Sequence, residues 1–272
     1  MSPYHIEPKV NYHRLAQLSE EFTRVWNWLH VFYLDAVAGF ALVRSRVESD
    51  QSWWRSYLQG SEVNSEEFQD TRIFTYSQIF SGEFCLSEAQ FTTQGEARAR
   101  NSPGGDNFVT LGQLCLVSFY DYWEGYLRKE YVIAKGLLER GESDGQAVES
   151  CLREHASHDL WGDLRILRVS VVHNKGIATS DVTRCKLIKW FKPGDSILTT
   201  PKHMREIFLA LLKYRNELDN EQFPPHYIQL PPSTMRKKRD TLISAEPHYV
   251  LARKPECSHK LAIAGSGQKT GR

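Results

Sequence analysis

The sequence predicts a mainly α fold: an antiparallel helical bundle with a small β-hairpin inserted before the last helix and a helical extension on the N-terminal side. Three observations carry that expectation. From Val109 to about Lys135, the residues Leu111, Leu114, Cys115, Phe119, Tyr122, Tyr126 and Leu127 recur at helical spacing. Leu160, Leu164, Leu167 and Val171 repeat the pattern and stop at an Asn174-Lys175-Gly176 break. Thr200 then Pro201 supplies a capping oxygen and a pre-set first helical residue, leading into Ile207, Leu211, Leu212 and Tyr214.

The other elements follow in chain order. Residues 10–50 read as two successive helices, with Ser19-Glu-Glu21 as a start and Trp28, Val31, Phe32, Asp35 and Ala38 at helical spacing. Trp53 and Trp54 are assigned to packing rather than to stacking on bases. Arg72-Ile-Phe-Thr-Tyr76 and Glu88-Ala-Gln-Phe-Thr-Thr93 are short strands or irregular structure. Ala97-Arg-Ala-Arg-Asn-Ser-Pro-Gly-Gly-Asp-Asn107, rich in turn formers, is the expected boundary, with Arg98 and Arg100 on a solvated linker. A helix from Gln146 to about Ala156 precedes the Leu160 segment. Cys185–Trp190 and Ser196–Thr199 around Lys192-Pro-Gly-Asp195 form the expected hairpin. The last helix runs to about Asp219, before Pro224-Pro225 and Pro231-Pro232 prevent continuation. The expected organisation is a mostly helical region 1–105, a helical domain 106–222, and a basic, disordered tail 223–272.

Charge separates these regions. The whole chain carries +1, yet residues 226–272 hold nine Lys or Arg against three acids, which leaves 25 basic and 30 acidic residues in 1–225. An acidic body does not attract nucleic acid by its general field, so binding there requires a local patch or the tail, where Arg236-Lys-Lys-Arg239 is concentrated. The first residues show no basic stretch followed by an apolar run, and Val31–Val43 is interrupted by Asp35 and too short to span a bilayer. Five scattered cysteines without a C-x-x-C suggest a reducing compartment. The expectation is a cytoplasmic protein without a membrane partner.

The chemistry concentrates at the end of the Leu160 segment. Arg168 and His173 stand five residues apart, with Asn174, Lys175 and Gly176 directly behind. An always-charged guanidinium beside an imidazole that ordinarily titrates near neutrality suits proton transfer next to a phosphate.

Arg168-Val-Ser-Val-Val-His173 followed by Asn174 resembles the Arg-x4-6-His signature of HEPN-domain proteins, small helical domains that include many metal-independent ribonucleases. The surrounding "GDLRILRVSVVHNKGIA" is similar to the motif segment of many bacterial members. Tyr120-Asp-Tyr-Trp-Glu-Gly-Tyr-Leu-Arg128 looks like the aromatic-Glu helix that precedes it. The resemblance covers roughly residues 106–220. It departs from the family at Val169, where many nuclease members carry a polar residue that helps place the pair.

The resemblance implies a HEPN-like bundle acting as an endoribonuclease, a defence or toxin effector, on an RNA whose own 2′-hydroxyl is the nucleophile. His173 would be the acid/base and Arg168 the phosphate anchor and electrostatic stabiliser. Asn174, Lys175 and Arg165 would support neighbouring phosphates, and Glu124 would pair with Arg168. On an ideal helix five residues correspond to about 500°, so the two side chains point roughly 140° apart. They converge if the helix loosens near His173, or if two chains pool their motifs; a homodimer is therefore expected, with an antitoxin or regulator as a further partner. The competing reading is a catalytically inactive HEPN-like module that binds RNA or protein, its Arg tying helices together and its His capping a helix end.

Glu154-His-Ala-Ser-His-Asp159 places His155 and His158 three apart, near Asp159 and Asp163, as a metal site would. It lacks the i, i+4 spacing and a third ligand at fixed distance. The expected reading is a helix-ending polar cluster, and no metal or cofactor is assigned.

Overall fold

The computed structural model describes residues 9–58, 65–76, 91–141 and 145–221. The basic tail with Arg236–Arg239, and Glu88–Gln90 of the second strand candidate, lie outside the described residues. Within them the protein is mainly α, with one two-stranded antiparallel sheet.

Helix α1 runs from Tyr12 to Tyr57 without interruption, where two helices were expected. Nothing in that span breaks it. Its one glycine, Gly39, lies in open space on the solvent side, and there is no proline. Its cap is Asn11, whose Oδ1 accepts from the Arg14 amide at 3.0 Å, and not Ser19. Ser19 instead lies buried within the helix and donates its hydroxyl to Asp219. Leu15, Leu18, Phe22, Leu29 and Tyr33 enter the main core, whereas Val43 and Val47 join Phe74 and Ala97 in a second, smaller cluster.

That second cluster sits under α2 (Glu66–Thr71), β1 (Ile73–Thr75), β2 (Phe91–Thr93) and α3 (Gln94–Arg100). The strands pair Ile73 with Thr93 and Thr75 with Phe91. Thr93 and Glu96 close a reciprocal capping box that starts α3 directly behind β2. The expected linker is therefore helical at its beginning. Arg98 is committed to Glu66 and Asp70, both at 2.6 Å, and Arg100 to the Tyr76 hydroxyl at 3.1 Å. Trp54 packs beneath the Arg72 guanidinium at 4.4 Å, while Trp53 stands exposed and stacks on Tyr57.

Helix α4 (Asp106–Tyr122), a π-helical turn (Trp123–Leu127) and α5 (Arg128–Ala134) form the expected long helix. Gly112 lets the following loop approach: a Cβ there would overlap the Thr199 hydroxyl and lie 2.7 Å from Thr199 Cβ. Helices α6 (Gln146–His155), α7 (Asp159–His173) and α8 (Pro201–Glu221) complete the fold. At the centre Trp123 and Trp161 stack 4.8 Å apart, with Tyr214 edge-on to both and Phe22 edge-on to Trp161 and Tyr214. Phe22 belongs to the expected N-terminal region and the other three to the expected 106–222 domain, so the two regions share one core.

Residues 185–199 do not form the expected hairpin. The buried Asp163 carboxylate accepts the amides of Lys186, Leu187 and Ile188 at 2.9, 2.6 and 2.8 Å, so successive backbone donors point at one side chain instead of a partner strand. The pairing that remains is a single bridge, Ile177 to Ser196, and the Pro193-Gly194 turn closes through the Lys192 amide on Asp195.

Candidate functional site

Helix α7 lies antiparallel to α4. Its Arg168 meets Asp121, and Gly176 just beyond it stands beside Gln113, two turns earlier on α4. Behind the motif the chain turns sharply. Lys175 and Gly176 both take positive φ, 54° and 77°, and the Gly176 amide reaches back to the Ser170 carbonyl at 3.0 Å. Ser170, fully buried, also accepts the Thr179 amide on its hydroxyl at 3.3 Å. This wrap fixes where α7 ends and leaves His173 in its last turn, exposed.

Arg168 is half-buried. Its Nε donates to Asp121 Oδ1 at 3.2 Å and its Nη1 to His173 Nε2 at 3.1 Å. A guanidinium has no acceptor, so the imidazole accepts through Nε2 and its proton sits on Nδ1. The pair thus converges within one chain and without loosening of α7. The long Arg side chain sweeps around the helix, and His173 lies where no further turn obstructs it. The guanidinium carbon stands 6.0 Å over the Tyr120 ring, and Nη2 has no protein acceptor among the described residues.

Around the pair, the expected Glu124–Arg168 contact is replaced. Glu124 accepts from Arg128 at 3.1 Å and from the Tyr120 hydroxyl at 3.0 Å, and Arg128, nearly sealed, reaches on to Glu149 at 3.2 Å. The buried Arg that ties helices together is therefore Arg128, and the carboxylate that holds Arg168 is Asp121. Asp121 lies opposite Arg168, whereas Glu124 is one turn further along, within the π-helical turn Trp123–Leu127, and is taken up by Tyr120 and Arg128 four residues to either side. Burial, with Glu124 alongside, pushes the Tyr120 hydroxyl up to about 12. Asn174 gives its amide to the Ile177 carbonyl at 2.7 Å, closing the turn. Lys175 is exposed just past the end of α7, Arg165 is exposed at its middle, and Val169 is half-buried.

The histidines upstream are used structurally. His158 caps α7 by accepting the Leu160 amide on Nδ1 at 3.1 Å, and its Nε2 faces Glu217 at 3.1 Å. Asp159 pairs with Lys186 at 2.7 Å, and Asp163 holds the 186–188 amides. Among the described residues, none of the His, Cys, Asp and Glu side chains group as a metal would require. No helix among them is long and apolar enough to cross a membrane.

Sequence reasoning missed Asp121, Tyr120 as the ring beneath Arg168, and Ser170. Tyr120 and Asp121 lay inside the flagged aromatic-Glu stretch, but only the helix phase selects them; Ser170 sat unmarked between the two motif residues. No protein-family model, no curated protein and no solved structure matches the chain.

Proposed function

We propose that this protein is an endoribonuclease of the metal-independent HEPN type, acting in the cytoplasm as a defence or toxin effector, with Arg168 and His173 as its catalytic pair. The observation that carries the reading is the 3.1 Å contact between Arg168 Nη1 and His173 Nε2 at an exposed helix end, with Nη2 directed at no protein acceptor. A phosphodiester bound at that edge competes for the guanidinium through charge-assisted hydrogen bonds, stronger than the neutral imidazole acceptor it replaces. Arg168 then releases Nε2, which can take the proton of the adjacent 2′-hydroxyl. The 2′-oxygen attacks phosphorus, the bond to the 5′-oxygen breaks, and the protonated imidazole returns its proton to that leaving oxygen. The products are a 2′,3′-cyclic phosphate and a 5′-hydroxyl. Arg168 neutralises the charge that accumulates on the phosphorane, and Arg165 and Lys175 offer cations to flanking phosphates.

The second reading, an inactive HEPN-like module for RNA or protein, is favoured by Val169 and by the engagement of Arg168 with both Asp121 and His173. Wild type and His173→Ala, expressed at matched levels in a bacterial host, separate the two. The nuclease gives growth arrest and new RNA fragments ending in cyclic phosphate, both lost in the variant. Intact RNA with equal growth supports the inactive module. If the effector is held by an antitoxin or regulator, that partner is expected to suppress the wild-type phenotype on co-expression.

A further inference from the structure

The solvent side of α1 carries an apolar face that no described residue covers. Trp28, Val31, Phe32, Leu34 and Leu42 are each between 47% and 67% exposed. Between them lie Ala38, Gly39 and Ala41, also exposed, and the one charge on this side between Trp28 and Leu42 is Asp35. Positions 28, 31, 35, 38, 42 and 45 follow the alternating three- and four-residue spacing of a helix–helix seam. This side is opposite to the one that Phe22, Leu29 and Tyr33 bury in the core.

The face is also graded in size. Its bulky residues are at the N-terminal end and, Leu42 apart, its small ones at the C-terminal end. We propose that it is the interface between two copies of this chain, α1 against α1, antiparallel about a two-fold axis beside residues 36 and 37. In that register Trp28 layers with Ser45, Val31 with Leu42 and Asp35 with Ala38 along the seam, while Phe32 flanks Gly39 on one side of it and Leu34 flanks Ala41 on the other. Each bulky residue falls on a small one except at the Val31–Leu42 contact, and the two Asp35 carboxylates are offset from each other. A parallel copy would set Trp28 on Trp28, Phe32 on Phe32 and Asp35 on Asp35, which forfeits packing and opposes like charges. The self-complementary pattern is what an isologous two-fold contact requires. The five large side chains leave on the order of 500 Å² uncovered per copy, so two copies remove about 1,000 Å² from water, the lower bound for a specific interface. Because Arg168 and His173 meet within one chain, this interface is independent of the ribonuclease reading and is tested by association, not cleavage.

The test is sedimentation equilibrium of the full chain at micromolar concentration. Wild type is expected at twice 31.4 kDa. Val31→Lys alone and Leu42→Glu alone each place a charge against an apolar partner and are expected to weaken association about 100-fold or more. Their combination places Lys against Glu at both symmetric contacts and should recover association to within about 10-fold of wild type. Circular dichroism verifies that the variants, changed only at exposed positions, keep their helix content. A wild type that stays at 31.4 kDa overturns the proposal and frees the face for another protein or a lipid surface. A dimer indifferent to Leu42→Glu overturns it too, and failure of the double variant to recover overturns the antiparallel register.

Discussion

Asp121 holds Arg168 by Nε while His173 accepts from Nη1, so the guanidinium is fixed at two of its three nitrogens and no described residue accepts from the third. Asp121→Asn keeps the shape and removes the charge. The expected result is a loss of RNA cleavage of about 10–100-fold, from misplacement of Arg168 rather than loss of a reacting group. Asp121→Glu should restore part of it, and fragment yield against time in a purified assay checks both. Arg168 and His173 were legible in the sequence because the signature is compact. Asp121 was not, because it lies 47 residues away and two acids, Asp121 and Glu124, compete for the role. Which of them meets Arg168 is decided by how α4 packs against α7, and no local spacing announces that register.

At the level of elements, α7 serves as more than a carrier of the motif. Its first half holds the 185–199 segment through Asp163, and its last turn is held by the Ser170–Gly176–Thr179 wrap. Asp163→Ala would leave three amides without their acceptor, at a cost of about 3 kcal/mol or more. Chemical denaturation should show the lowered midpoint, and limited proteolysis should show new cleavage between residues 185 and 199; an unchanged pattern would mean the loop is held by other contacts. The helices of the 106–222 region were readable because burial imposes a 3.6-residue period on them. The hairpin was misassigned for a related reason. A Pro-Gly turn between short apolar runs signals a hairpin only when the backbone donors are free to pair, and here a distant buried carboxylate takes three of them. The short strands at 73–75 and 91–93 had the weaker local signal and do pair, because Phe74 is drawn into a cluster with Val43, Val47 and Ala97.

For the whole molecule, burial raises several acids whose neutral forms the core prefers. The thiols of Cys115 and Cys185 are pushed from 9.0 to about 11, and the hydroxyls of Tyr33 and Tyr120 from 10.0 to about 12. The unfolded chain releases these protons first as pH rises. The stability tied to them is therefore complete below pH 9 and is lost between pH 9 and about 12. Melting temperature should fall across that window, and Tyr120→Phe should soften the fall above pH 10. A melting temperature flat to pH 11 would contradict this account. The mainly helical class was visible from apolar period and helix start and stop signals, whereas the sharing of one core by both halves was not, since it depends on Phe22 meeting Trp161 and Tyr214 across most of the chain.

The uninterrupted α1 has a consequence for the order in which the protein can assemble. At 46 residues it extends about 69 Å, and it is common to both hydrophobic clusters. Among the described residues the smaller cluster buries Val43, Val47, Phe74 and Ala97, far fewer apolar side chains than the main core brings together. The expected order of assembly is therefore directional: the bundle with the half of α1 packed against α8 and α4 first, the helix then growing outward past Gly39, and the sheet with its two short helices last.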